Sequence, residues 1–304
     1  MMNQNAFITK EASFLFSGQG SQFYGMTQLL YNKNEEYRRL LQETDEITHN
    51  ILSISVLKLL FDSSKKNNCF DDLLTSSIAL AECQYCIEKL LESKGIYPDI
   101  MLGASMGEII ASAIASDEEF AVFIRLIAEI VEAICKECNH GGMVSILERS
   151  NIFFDIPDMF TGCELSGINY NRSFVVSGSD DAIENLIKGL LSRNIAHMKL
   201  PVKYAFHSSM MAPAENRLKQ IRFPFELKTN VASCAYGNII NKVSDNYVWN
   251  VIREPVMFSK AFASVEKSMS PRYIDLSPNH SMSNYLKRMH IPHERNCVFS
   301  KIIL

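Results

Sequence analysis

Short apolar runs alternate with longer amphipathic segments along most of the chain. Ala12–Phe16 (ASFLF), Pro98–Leu102 (PDIML) and Arg272–Leu276 (RYIDL) have the length and composition of buried strands. Thr75–Lys94 repeats apolar residues at helical spacing and stops at Gly95, a typical helix end. Strands that alternate with helices favour a parallel α/β sheet. The same patterns predict helices over residues 34–61, over 106–138 with a break near Asp117–Glu119, from about 208, and over 256–267, and a strand over 229–233.

The pattern changes in the middle of the chain, where two adjacent glycines, Gly141 and Gly142, open a different segment. Three strands are predicted there, over residues 143–147, 173–177 and 197–202, and one helix over residues 180–193. This order is typical of a small α+β unit rather than a continuation of a parallel sheet. We therefore expect two domains, a larger one formed by residues 1–140 and 205–304 and a smaller inserted one formed by residues 141–204.

Composition and charge exclude several classes of protein. A chain of 304 residues can bury a large core without disulfide or metal support. Its net charge of −4 gives no basic surplus for nucleic-acid binding. The N-terminus lacks the features of a signal peptide, and no apolar run reaches the length of a membrane-spanning helix. We expect a cytoplasmic monomer whose eight cysteines are free thiols, with no metal or cofactor.

Gly103–Gly107 (GASMG) matches the G-x-S-x-G pattern of a nucleophile turn. It follows a predicted strand and precedes a predicted helix, which is the context that projects a serine hydroxyl above the sheet edge. The helix that begins at Met106 directs its first N–H groups at an oxyanion formed beside Ser105. The pattern predicts that Ser105 is a nucleophile, and a simple glycine turn is the alternative.

His207 is the histidine best placed to act as the base for such a serine. It lies between a predicted strand and a predicted helix, where a side chain can point into a cleft. A capping or surface histidine is the alternative, and we expect the other six histidines to be structural or exposed. The segment Gly18–Gln22 (GQGSQ) lacks the Lys-Ser/Thr of a P-loop and the third glycine of a dinucleotide site. A backbone N–H of this loop could instead complete an oxyanion hole.

Two C-x-x-C pairs, Cys83/Cys86 and Cys135/Cys138, have the spacing of zinc ligands. Both pairs fall in predicted helices, which separate the thiols without the turn that a zinc knuckle needs. We therefore expect buried or surface thiols at these positions, with zinc as the alternative.

Taken together, these motifs resemble the malonyl-CoA:acyl-carrier-protein transacylase family, which includes the acyltransferases of polyketide synthases. The resemblance covers residues 13–300, and its fold implies an α/β-hydrolase-like large domain with a parallel sheet and an inserted ferredoxin-like subdomain. The segments that carry it are FSGQGSQFYGM (16–26), GASMGE (103–108), GGMVSIL (141–147), INYNRSFVVSG (168–178), YAFHSSMM (204–211), VWNVIREPVMF (248–258) and YIDLSPNHSM (273–282).

The resemblance implies a ping-pong reaction on acyl thioesters. Ser105 would attack the thioester with His207 as general base, while the N–H groups of Gln19 and Met106 hold the oxyanion. A backbone carbonyl near Asn250 and Val251 would orient His207. The implied partner is an acyl carrier protein with its acyl-phosphopantetheine thioester, with acyl-CoA as a further possible donor.

The chain departs from the family pattern at two places. Ala104 replaces a histidine that usually precedes the nucleophile. Malonyl-selective members also carry an arginine about 25 residues after the serine, where it pairs with the malonyl carboxylate. Here that position is Ile130, or Ile127 if a short deletion is allowed, and Arg125 is the only arginine nearby.

A missing arginine changes the expected substrate. A carboxylate buried against isoleucine without a cation would cost several kcal/mol. We therefore expect a neutral acyl pocket, formed by Ala104, Ile127, Ile130 and Phe206. This combination resembles the acyl hydrolases of trans-acyltransferase polyketide pathways, which release stalled acyl groups from carrier proteins. The alternatives are an acyl-carrier-protein S-malonyltransferase or another acyltransferase that loads acyl units from CoA, and an inactive carrier-protein-binding module.

Overall fold

The computed structural model describes residues 11–223 and 226–303, which form two β-sheets covered by helices. The strands are β1 (Ala12–Phe16), β2 (Ile100–Gly103), β3 (Gly142–Ile146), β4 (Cys163–Tyr170), β5 (Ser173–Gly178), β6 (His197–Lys199), β7 (Asn230–Ser233), β8 (Asn238–Ile240), β9 (Arg272–Asp275) and β10 (Asn296–Val298). The helices are α1 (Gln28–Lys33), α2 (Glu35–Leu52), α3 (Val56–Leu60), α4 (Leu73–Glu92), α5 (Met106–Ala115), α6 (Phe120–Glu137), α7 (Ile152–Asp155), α8 (Asp180–Ser192), α9 (Glu215–Gln220), α10 (Tyr247–Arg253), α11 (Phe258–Ser268), α12 (Ser281–Arg288) and α13 (Ser300–Ile303).

The larger sheet has six strands in the order β10-β9-β1-β2-β7-β8. Its first four pairings are parallel, and only the short edge strand β8 runs antiparallel to β7. All five residues of β1 are buried, as are all four of β2, because helices cover both faces of the sheet. A continuous apolar run is therefore the correct sequence pattern for these strands, and the predicted parallel α/β sheet is confirmed.

One of the predicted helices is divided where the sequence analysis expected it to continue. The predicted helix over 34–61 ends at Leu52, because Ser53 adopts a left-handed conformation with φ 58°. The break predicted in the segment 106–138 is confirmed, because α5 and α6 are separated near Asp117, another residue with positive φ. The helix expected from about 208 begins as a 3₁₀ turn at Ser209–Ala214, and α9 follows it directly.

The smaller sheet lies within the inserted segment and has the strand order β4-β5-β3-β6, with all pairings antiparallel. Together with α7 and α8 it follows the β-α-β-β-α-β order of a ferredoxin-like unit, which confirms that prediction. Val144, Ile146, Phe174 and Val176 face α8 in a small core. The sequence analysis missed β4, whose pairing with β5 is interrupted by two register shifts around Gly167.

All eight cysteines lie in the described part of the chain, and none forms a disulfide. Cys83 and Cys86 are completely buried in α4, and burial raises the pKa of the Cys83 thiol to about 12. Within residues 11–223 and 226–303, no group of His, Cys, Asp and Glu side chains is arranged to hold a metal ion. No helix in this same part of the chain has the length and hydropathy to cross a membrane.

Candidate active site

Ser105 occupies a sharp turn between β2 and α5, with φ 58° and ψ −128°. This backbone conformation is strained for a residue with a side chain and is typical of functional sites. Glycines make the turn possible, because a Cβ on Gly103 would overlap the Gly107 carbonyl and one on Gly107 would overlap the Phe16 carbonyl. Ser105 itself remains partly exposed. The sequence therefore builds a turn that presents a serine hydroxyl above the end of the sheet.

The loop after β1 packs directly against this turn. A Cβ on Gly18 would lie 2.5 Å from the Ala104 carbonyl oxygen and 3.0 Å from the Met106 nitrogen. The next residue, Gln19, is fixed by its side chain, whose Nε2 donates to Ser77 Oγ of α4 at 2.7 Å. The Met106 N–H belongs to the first turn of α5 and has no partner within the helix. The loop and the helix thus place two backbone segments beside Ser105.

His207 lies within hydrogen-bonding distance of the serine, with its Nε2 2.8 Å from Ser105 Oγ. Its Nδ1 is 2.8 Å from the Glu254 carbonyl oxygen, which can only accept, so Nδ1 carries the proton. Nε2 is then the acceptor for the serine proton. The imidazole is 2% exposed, and burial lowers its pKa to about 4, although the bond to Glu254 opposes this shift. His207 is therefore neutral at pH 7, as a general base must be.

The carbonyl that contacts His207 differs from the expected one. The prediction placed it near Asn250 and Val251, and it is wrong because both residues lie inside α10, which the sequence analysis did not identify. The Asn250 carbonyl accepts the backbone N–H of Glu254 at 2.9 Å and is used by the helix. Glu254, the first residue after α10, has an extended backbone, and its carbonyl is the one that reaches His207.

Glu108 is a buried carboxyl group that the sequence analysis did not single out as a site residue. It lies in the first turn of α5 and accepts hydrogen bonds from Ser233 Oγ, from the N–H groups of Cys234 at 2.8 Å and Ala235 at 3.1 Å, and from Tyr247 Oη at 3.1 Å. Burial raises its pKa to about 7, and these hydrogen bonds oppose the shift. Glu108 thereby ties the nucleophile helix to the end of β7. Its position directly after the G-x-S-x-G pattern is the sequence feature that could have identified Glu108 as a site residue.

A cavity of about 290 Å³ opens beside Ser105 and His207, between the two sheets. The smaller sheet, the loop after β1 and the start of α12 line it, and Ala104 and Phe206 contribute as expected. Met143, Val175 and Met282 supply apolar surface, whereas the polar lining consists of serine, asparagine, glutamine, tyrosine and His207. No aspartate, glutamate, lysine or arginine of the described chain lines this cavity.

The predicted acyl wall on α6 is not part of this cavity. Ile127 and Ile130 are completely buried in the main core, where α6 packs against α2 and α4. The prediction that they line the acyl pocket is wrong, because the smaller sheet and α12 supply the apolar wall instead. Arg125 is exposed on α6 and does not line the cavity either.

Residues 13–291 match the model of the acyl transferase domain family. The chain belongs to this family. It is 33% identical over 283 residues to the polyketide biosynthesis acyltransferase homolog PksD of Bacillus subtilis (strain 168), which covers 91% of this chain and 86% of PksD. It is also 28% identical over 298 residues to the malonyl CoA-acyl carrier protein transacylase of the same strain, with 91% and 90% covered. The resemblance expected from the motifs is thus confirmed.

Solved structures of this family share the fold. A loading acyltransferase from the avermectin modular polyketide synthase superposes with a TM-score of 0.83 at 21% identity, covering 94% of this chain and 92% of its own. The MCAT of Streptococcus pneumoniae superposes with a TM-score of 0.76 at 20% identity, covering 95% of each chain. At this identity the acyltransferase structures support the two-sheet architecture and not a particular substrate.

Proposed function

We propose that this acyltransferase-family chain is a serine acyl hydrolase. It would act on neutral acyl groups carried as thioesters by acyl carrier protein, and it would release stalled groups during polyketide biosynthesis. The observation that carries this proposal is the cavity beside Ser105, which no charged side chain of the described residues lines. The similarity to PksD, a polyketide biosynthesis acyltransferase homolog, supports the pathway.

The hydrogen bonds at His207 support the first half of the reaction. Nε2 accepts the Ser105 proton while Oγ attacks the thioester carbon, and the Glu254 carbonyl stabilises the imidazolium through Nδ1. The N–H groups of Gln19 and Met106 would hold the oxyanion of the tetrahedral intermediate. Collapse of this intermediate breaks the carbon–sulfur bond, and His207 returns the proton to the leaving thiolate. An acyl ester on Ser105 remains.

Water completes the hydrolysis. His207 takes a proton from the water as its oxygen attacks the acyl carbon, and then returns that proton to Ser105 Oγ. The products are a free carboxylic acid and the regenerated serine. Carrier thiol and acid are therefore released in equal amounts, which distinguishes hydrolysis from transfer.

The electrostatics of the cavity favour a neutral acyl group. A malonyl carboxylate would lose its hydration in a cavity whose described lining offers hydroxyl and amide groups but no cation, at a cost of several kcal/mol. Arg125 does not compensate, because it is exposed on α6 outside the cavity. Acetyl and longer unbranched acyl groups carry no such penalty.

A transferase that loads acyl units from CoA is the second candidate, and the similarity to the malonyl CoA-acyl carrier protein transacylase of B. subtilis favours it. Both candidates form the same acyl-serine, and they differ only in whether water or a carrier thiol resolves it. An inactive carrier-binding module is disfavoured, because Ser105 and His207 lie 2.8 Å apart with the correct tautomer.

Intact-protein mass spectrometry would decide between these candidates. The chain is mixed separately with malonyl-, acetyl- and octanoyl-carrier protein, and acyl-enzyme, free carrier thiol and free acid are measured together. We expect carrier thiol and acid in equal amounts from the acetyl and octanoyl carriers, at least tenfold slower release from the malonyl carrier, and neither product with Ser105→Ala. A stable malonyl-enzyme that transfers its acyl group to an empty carrier would overturn the proposal.

A further inference from the structure

His207 is held in an uncommon backbone conformation, with φ 59°. Non-glycine residues adopt this left-handed region uncommonly, and hydrogen bonds to the surroundings help to hold them there. One constraint comes from the larger domain, since the His207 N–H donates to the Ile252 carbonyl at 3.0 Å. The other constraints come from β4 and β5 of the inserted subdomain, on both sides of the histidine.

The first of these contacts precedes His207. Ser177 of β5 donates its hydroxyl proton to the Phe206 carbonyl at 2.6 Å, so it fixes the peptide group that leads into the histidine. Ser166 of β4 lies with its Oγ 2.6 Å from Ser177 Oγ and, because the Ser177 proton is already used, acts as donor. Both serines are buried, and they form a short hydrogen-bonded chain that ends on the backbone of residues 206–209, the base loop.

The second contact follows His207. Both carboxylate oxygens of Glu164 of β4 accept the backbone N–H of Ser209 at 3.0 Å, and the Ser209 hydroxyl donates to the same carboxylate. Hydrogen bonds to a carboxylate are stronger than neutral ones. The base loop is therefore held one residue before His207 and two residues after it.

The third contact fixes the carbonyl that orients the imidazole. Val256 pairs with β4 as a short parallel bridge, in which its N–H donates to the Ser166 carbonyl at 2.8 Å and its own carbonyl accepts from Ile168 at 2.9 Å. Val256 lies only two residues after Glu254. A displacement of β4 would therefore move both His207 and the Glu254 carbonyl away from their present positions.

We infer that the inserted subdomain positions the general base, with Ser177 and Glu164 as positioning residues that keep His207 at hydrogen-bonding distance from Ser105. This inference rests on the proposed serine chemistry, and it assigns to β4 and β5 a role beyond that of a cavity wall. Neither residue lines the cavity, so each would act through His207.

The test measures how fast a fluorophosphonate probe labels Ser105, in the full chain and without any acyl carrier. Ser105 Oγ attacks phosphorus, fluoride leaves, and His207 takes the serine proton, so the rate reports on the reactivity of Ser105 and its base without any contribution from carrier binding. The variants are Ser177→Ala, Glu164→Ala and the double variant. Matched controls are Ser192→Ala and Glu184→Ala, which change exposed residues of α8 in the same subdomain.

We expect each single variant to label about tenfold more slowly than the parent, the double variant to label about a hundredfold more slowly, and the controls to match the parent. The acidic limb of the pH–rate profile should also move. Burial lowers the pKa of His207 from 6.5 to about 4, with a further lowering from the charge of Arg253. A looser, more hydrated imidazole regains a higher pKa, so its labelling activity is lost at higher pH than in the parent. Ser177→Thr, which keeps the hydroxyl, should restore the parent profile.

A purely structural role predicts a different result. If the variants unfold at lower temperature but, while folded, label at the parent's rate with the parent's pH profile, the inference is wrong. If the double variant does not fold, the single variants and Ser177→Thr still decide the question. A parent that reacts with the probe but hydrolyses no acyl carrier would refute the proposed function and leave the positioning inference standing.

Discussion

The nucleophile turn and the base loop each hold a residue at positive φ, but by different kinds of contact. Ser105 and His207 have nearly equal φ values, 58° and 59°, which are strained for residues with side chains. Around Ser105 the chain is held by close backbone packing that only Gly18, Gly103 and Gly107 permit. Around His207 it is held by hydrogen bonds from side chains and carbonyl groups.

These two modes of support fail differently. Close packing tolerates no added atom, so a single methyl group in the nucleophile turn should have a large effect. Hydrogen bonds are lost one at a time, and each contributes about 1 kcal/mol on average. We therefore expect abrupt failure on the nucleophile side and graded loss on the base side.

The largest effect is expected for Gly107→Ala. Alanine favours a helix over glycine by about 1 kcal/mol, so local propensity would stabilise this variant. Its Cβ, however, would overlap the Phe16 carbonyl of β1, and neither backbone segment can move without displacing Ser105. We expect a loss of about 3 kcal/mol or more in the free energy of unfolding, measured by urea denaturation, and loss of probe labelling at Ser105.

Gly95→Ala is the matched control for this prediction. Gly95 has a positive φ, of 74°, which disfavours alanine, but no heavy atom lies within 4 Å of the position that its Cβ would take. Strain alone should cost about 1 kcal/mol and leave labelling unchanged. If the two variants lose equal stability, close packing is not what holds the nucleophile turn.

A smaller effect is expected for Glu108→Gln, which changes the buried carboxyl group in the first turn of α5. The pKa of Glu108 is raised from 4.5 to about 7, so the native state binds this proton more tightly than the unfolded chain does. Its contribution to the free energy of unfolding is complete below pH 4.5 and decreases as the pH rises toward 7. Glutamine does not titrate, so urea denaturation should show a pH dependence between 5 and 8 that is weaker by about 2 kcal/mol.

Glu118→Gln serves as the control, because Glu118 is exposed between α5 and α6. It should follow the parent's pH dependence. Parallel curves for the parent and Glu108→Gln would show that the four hydrogen bonds to Glu108 fully offset the effect of burial, and that its carboxyl has an ordinary pKa.

The smallest effect is expected for Arg125→Ala. This arginine is exposed on α6 and lies outside the cavity, so it supports neither the nucleophile nor the base. We expect the ratio of malonyl to acetyl release, measured by mass spectrometry, to change by less than about twofold, as it should for the exposed Lys136→Ala on the same helix. A tenfold change in malonyl release alone would identify Arg125 as a carboxylate partner.

The sequence predicted those parts of the fold that depend on local patterns. The bounds of β1 are as predicted, because helices bury both faces of this strand and its sequence is therefore an almost continuous apolar run. Strand β4 was missed because Gly167 and the two register shifts disrupt the alternation of inward and outward residues. The helix α10 was also missed, since it spans only seven residues, and its nearly continuous apolar run, interrupted at Asn250, shows no helical period over that length.

In the site, too, only the features set by neighbouring residues could be predicted. Ser105 could be proposed from five consecutive residues, because β2, Gly103, Gly107 and α5 are neighbours in sequence. The contacts that hold His207 could not be predicted from the sequence, since Glu164, Ser177 and Glu254 lie 43, 30 and 47 residues from it in the chain. A carbonyl group has no sequence signature, so only the path of the backbone after α10 could show that Glu254 supplies it.

The bridge between Val256 and β4 has a consequence for engineering. A chimera that exchanges residues 141–204 with those of a relative would import a foreign β4 beside the native Val256 segment, and the two would not have been selected together. Transplants intended to change acyl preference should therefore carry residues 254–257 along with the insert, because the bridge keeps these two stretches in register with each other.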